Sequence, residues 1–258
     1  CSARGRHTRA SPVSGARGCL YRTGAARPRS VPRFPELALA VAAIAVFTLW
    51  PPVHALDLRL EAYFFDRAAS AWLVPPDGRD ALFWLFYRGP KVALAVASAA
   101  SLLWLLRCGL TRRWRSFETR LLLALSVLGV TALLAGLLKR WTGISCPVQE
   151  TIFAGPYAHV AIPDRLFGII PFNEHFRCWP AGHAAAGFGL LGLRLLAPGG
   201  VSPSWRHLAP GLAGGWALGI YQMARGQHYL SHTIVTMALA FLLSSLAIMI
   251  LDRLEDRG

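Results

Sequence analysis

Leu121 to Leu138 reads LLLALSVLGVTALLAGLL, an apolar run without a charged residue, closed by Lys139 and Arg140. A run of this kind approaches the ~20 residues that a helix needs to cross the hydrocarbon core of a bilayer. Composition extends the reading to the whole chain, whose 258 residues are 54% hydrophobic and 16% charged with a mean hydropathy of +0.42. That is too apolar for an ordinary soluble domain. Five more segments share the character of the first: Glu36 to Leu56, Val92 to Leu106, His183 to Leu196, Leu208 to Met223 and Thr233 to Leu251. The expected fold is all-α, a polytopic membrane bundle of about six transmembrane helices over residues 35–258. Several segments are short and must recruit flanking residues or sit in a thinned bilayer.

Charge orients the bundle. Residues 1–34 carry eight Arg and no acid, the composition of a disordered basic tail. Arg107, Arg112, Arg113, Arg115 and Arg120 follow the second segment, and Arg194 and Arg206 follow the fourth. With six spans all of these share one face, so the positive-inside rule puts both termini in the cytoplasm. The net charge of +14 therefore encodes topology and does not call for nucleic acid. The tail's natural partners are anionic membrane lipids. The opposite face receives Asp57 to Pro90, where Leu58, Ala62 and Phe65 have the spacing of a helix lying at the interface. It also receives Lys139 to Gly182 and the turn around His228.

Three polar stretches thus meet at the outer helix ends. Lys139 and Arg140 end the third segment, and Cys178-Trp179-Pro180-Ala181-Gly182-His183 opens the fourth. His183 stands where a loop becomes a helix, a position whose free N–H groups suit an anion. His228 and His232 are four apart and share a face if helical, with Arg225 shortly before them. Cys1, Cys19, Cys108, Cys146 and Cys178 show no CxxC spacing and no His at zinc-site spacing, so no structural zinc is expected. Cys146 and Cys178 share an outer loop and either pair as a disulfide in an oxidising compartment or stay as two thiols. Cys108 is expected to be free.

The order and spacing of these stretches resemble the type 2 phosphatidic acid phosphatase superfamily, in a divergent bacterial branch. Lys139, six residues, then Cys146-Pro147 matches the family's first motif with Cys in place of Arg. Pro180-Ala181-Gly182-His183 matches the second with Ala in place of Ser. His228 fills the His slot of the third, while Gln222 stands in the Arg slot and His232 in the Asp slot. The resemblance implies an integral inner-membrane lipid phosphatase or phosphotransferase with its site facing the periplasm. Its substrate would be an isoprenyl diphosphate, a phosphatidate-type lipid or a lipid A species, and it would use no metal or other cofactor. By the same resemblance Lys139, Ala181 and Gly182 bind phosphate, His183 is the acid and His228 becomes the phosphohistidine. Arg225, Arg140 and Arg177 are candidates for the missing Arg, and Glu150, Asp164 and Glu174 for the missing acid. His232 can accept a hydrogen bond from His228 but brings no negative charge. The substituted positions also suit a catalytically inactive lipid-phosphate-binding protein. Histidines at helix ends further allow haem ligation between helices, although the surrounding Lys and Arg favour an anion over a cation.

Overall fold

The computed structural model describes residues 33–77, 81–173, 175–197 and 205–257. The basic tail up to residue 32 and Glu174 lie outside the described residues. Regular structure is almost all helical. Among the described residues the exception is a two-stranded hairpin, β1 (Phe65–Asp66) against β2 (Ala71–Trp72).

Helix α1 (Phe34–Leu49) stops at Trp50, which is extended (φ −83°, ψ 116°), because the following proline disfavours helical backbone in the residue before it. The same prolines suit the first turn of α2 (Pro51–Glu61), where no N–H is needed. The stretch from α1 through Phe64 is bent by 72° at this break. Short α3 (Ala81–Phe83) and a π-turn (Trp84–Arg88) lead into α4 (Gly89–Leu110), followed by α5 (Ser116–Thr142). After a long loop holding α6 (Ile162–Leu166), α7 (Gly182–Phe188) runs on as a 3-10 helix, Gly189–Leu196. Helices α8 (Trp205–Met223) and α9 (Leu230–Arg257) complete the chain.

Three helical stretches are long and apolar enough to cross a membrane: Ala81–Leu110, Ser116–Gln149 and Leu230–Arg257. The bent first pair makes a fourth if it is one span. The segments expected to cross at 183–196 and 208–223 are helical but fall short of that mark, the first by its length and the second because polar residues and glycines lower its hydropathy. Gly211, Gly214, Gly215 and Gly219 dilute the hydropathy of α8 and let it pack closely. A Cβ on Gly187 would overlap the backbone of Gly214 and Gly215. Ala184, Ala185, Phe188 and Leu191 are fully buried, enclosed by α5, α8 and α9.

Two expectations change. The interfacial helix through Leu58, Ala62 and Phe65 ends at Glu61, followed by a 3-10 turn, and Phe65 belongs to the hairpin. On α2, Asp57 and Glu61 are buried, and Asp57 accepts a hydrogen bond from the backbone N–H of Ser231 at 2.9 Å. That contact caps the start of α9 and turns this face toward protein. Arg194 is not a loop charge either. Its side chain is 0% exposed and pairs with Glu36 of α1 at 2.9 Å, while Ser244 and Ser245 of α9 accept from it at 3.2 Å. Removing the carboxylate strands a buried guanidinium. Glu36→Ala is therefore expected to lower unfolding stability by about 3–5 kcal/mol, read as a reduced midpoint in detergent, with Glu36→Asp losing less.

Candidate active site

The first turn of α4, the last turn of α5, the first turn of α7 and the α8–α9 turn converge on one polar centre. They bring Lys91, Lys139, His183, and Arg225 with His228. The α8–α9 turn is shaped by Gly226 at φ +65°, where a side chain would be strained and would strike Trp72. It is pinned on both sides, because Val74 N–H donates to Ala224 O (3.0 Å) and Val148 N–H to Gly226 O (2.8 Å).

His228 is 2% exposed, with Nε2 lying 3.3 Å from Lys139 Nζ. Its Nδ1 edge faces Cys178, 3.4 Å from Sγ, and the Cys178 N–H is given to Ile144 O. A ring held on its Nδ1 side presents Nε2 to Lys139. Cys178 is in turn bonded to Cys146, which fixes the loop after α5 beside the same ring. Gly182 leaves room for the lysine, since a Cβ there would sit 3.0 Å from Lys139 Cε and 3.2 Å from Nζ.

His183 lies against Tyr87 with ring centroids 4.4 Å apart and planes tilted by 36°, and its buried Nε2 has no hydrogen-bond partner among the described residues. Lys91 Nζ lies 3.9 Å from the Tyr87 ring centroid. Arg225 donates to the Pro76 carbonyl, and its guanidinium lies 5.5–5.6 Å from the rings of Phe83, Tyr87 and Tyr221. Lys91, Lys139 and Arg225 all act electrostatically on His183. Among the described residues none of these three cations is in a salt bridge. Arg225 is buried, Lys139 half-buried and Lys91 exposed at the edge of the centre, and buried positive charge without a counter-ion is costly unless an anion compensates it.

The other residues singled out from sequence fall elsewhere. Arg140 and Arg177 are exposed, Arg140 because one residue along a helix is a rotation of about 100° from Lys139. The Ala181 N–H is engaged, donating to His232 O at 3.2 Å. His232 is 1% exposed and meets the rings of Tyr229 and His228 edge-on at 5.4 and 6.0 Å. Glu150 is 0% exposed and accepts from Ser145 Oγ (2.7 Å), His159 Nδ1 (2.7 Å) and Tyr229 OH (2.5 Å). It therefore braces the neighbour of His228. Burial first, and then the Glu150 carboxylate, hold the Tyr229 hydroxyl well above its ordinary range, so it remains a donor. Lys91 and Tyr87 were not singled out from sequence. The available signal was a lysine at the first turn of a long apolar helix.

The cysteines also gain partners that the sequence spacing hides. One ligand atom each from Cys178, His228 and His232, all buried, lie within 4.8 Å of one another.

Burial, then Lys139, His232 and His183, keep the His228 pKa well below its ordinary value near 6.5. The unfolded chain takes up a proton there below about pH 6.5 and the folded chain does not, so this residue's contribution is full above that pH and is lost below it. The unfolding midpoint is expected to fall between pH 7.5 and pH 5.5, with a shallower fall in His228→Gln.

Comparison with protein-family models, with curated proteins and with solved structures gives no match.

Proposed function

We propose that this chain is an integral membrane lipid phosphatase or phosphotransferase that acts on a lipid phosphate or diphosphate through a phosphohistidine on His228. The observation that carries the reading is the buried His228 Nε2, 3.3 Å from Lys139 Nζ, in a centre of cations without salt-bridge partners among the described residues. Such a centre favours a phosphoryl group, whose transfer requires positive charge on its equatorial oxygens and a positioned nucleophile. A phosphate entering beside Lys139 meets Lys91 and Arg225 as further cations.

In the first step Nε2 attacks phosphorus, the N–P bond forms, the P–O bond to the lipid breaks, and His183 gives its proton to the leaving oxygen. In the second, His183 takes a proton from water or from a lipid hydroxyl, the oxygen attacks phosphorus, and the N–P bond breaks. Cys178 faces the Nδ1 side of His228, where a triad has a carboxylate, but supplies no negative charge. The full reading comprises a six-span bundle in a bacterial inner membrane, both termini cytoplasmic, and a periplasmic site that an oxidising compartment would equip with the Cys146–Cys178 bond.

The test is a phosphate-release screen of purified chain, without added metal, over isoprenyl diphosphate, phosphatidate and lipid A phosphates. Release from at least one is expected. Absence of both release and transfer across the panel would sink the enzymatic reading.

A further inference from the structure

We infer that, once its disulfide is reduced, the chain holds a Cys2His2 metal centre for a borderline-soft ion such as Zn2+, built from Cys146, Cys178, His228 and His232. The disulfide and this centre are alternative states of the same residues. Cys178, His228 and His232 already have ligand atoms within 4.8 Å of one another, and Cys146 is bonded to Cys178. Zinc–sulfur and zinc–nitrogen bonds of about 2.3 and 2.0–2.1 Å make the S···N edge of a tetrahedron about 3.5 Å. The Cys178 Sγ to His228 Nδ1 separation is 3.4 Å.

The charges agree. Lys139 beside His228 opposes a bare dication, but two thiolates cancel a divalent charge and leave a neutral centre. The pair of cysteines is therefore what makes a metal tolerable in a region otherwise suited to anions. Three of the four ligands are closed off, Cys178 at 0% exposed, His232 at 1% and His228 at 2%, as in structural zinc sites, while Cys146 is half-buried.

The step balances. A dithiol reductant supplies two electrons and two protons, the S–S bond breaks, Cys146 and Cys178 become thiols, and the dithiol closes to its own disulfide. The metal then displaces both thiol protons. Metal on Nδ1 leaves the proton of the neutral His228 ring on Nε2, so zinc blocks phosphoryl transfer. That last consequence rests on the function proposed above, whereas the metal site itself does not.

The experiment uses the full chain in detergent carrying Cys1→Ser, Cys19→Ser and Cys108→Ser, reduced anaerobically with a phosphine and titrated with Co2+. The expected result is one Co2+ per chain, with thiolate-to-cobalt charge-transfer absorption and intense tetrahedral d–d bands bleached by Zn2+. The disulfide form should give neither. Cys146→Ser and His232→Ala should each weaken cobalt binding at least tenfold, with circular dichroism reporting helix content throughout. Reduced chain that keeps its helices but retains no cobalt overturns the inference, as does loss of the fold on reduction or equal binding by both redox forms. In a separate arm, Zn2+ should lower phosphate release by the reduced chain at least tenfold and spare the oxidised chain. Cobalt bands without any phosphate release would leave the metal site standing and remove the phosphatase reading.

Discussion

His228→Ala is expected to lower phosphate release from a lipid phosphate by at least about 10³-fold, because it removes the nitrogen that the proposed mechanism uses to form the covalent intermediate. The loss should fall on kcat, since Lys91, Lys139 and Arg225 remain to bind the phosphate. Brief reaction with radiolabelled substrate and alkaline quench should leave phosphorus on the wild-type chain and none on the variant. The substitution also deletes a buried ring, so helix content must be checked beside activity. A folded His228→Ala protein that turns over at the wild-type rate would remove this residue from the chemistry.

His183→Ala is expected to cost about 10²–10⁴-fold on a lipid phosphate, the usual worth of a positioned acid. The loss should be much smaller on an activated aryl phosphate, whose leaving group departs without a proton. That contrast separates an acid from a residue that merely packs. His183 stands among Lys91, Lys139 and Arg225, so its proton is best accommodated together with a bound phosphate dianion. Equal losses on both substrates would instead mark His183 as a packing residue against Tyr87.

The spans α4, α5 and α9 were legible because each keeps an apolar run long enough to need lipid. Lys139, His183 and His228 were legible for a related reason: polar residues at the mouths of such runs have few places to go. Packing decided the rest. The π-turn at Trp84–Arg88 carries Tyr87 between His183 and Lys91, and nothing in the local sequence states where Tyr87 will stack. Glu150, one of three candidates for an acid beside His228, bonds instead to the neighbouring Tyr229. Arg194 looked like a loop charge because its partner Glu36 lies in a helix made much earlier. Asp57 looked interfacial because its partner is a backbone N–H, which leaves no trace in sequence. Periodicity and charge position report on lipid and water, whereas pairing between distant helices is invisible to them.

The contacts of Glu36 and Asp57 carry a consequence for biosynthesis. Glu36 waits for Arg194 and Ser245, made 158 and 209 residues later, and Asp57 waits for Ser231, 174 residues later. At ~5–20 residues per second, the longest of these delays is about 10–40 s. Throughout it, the first helix pair has two carboxylates whose partners in the last helix do not yet exist. A nascent chain stopped before residue 230 therefore has the lysines and His183 at hand but cannot lock its first helices onto its last; until α9 arrives Glu36 has Arg33 beside it at 2.6 Å, whereas Asp57 lacks the Ser231 N–H that it accepts from in the finished fold.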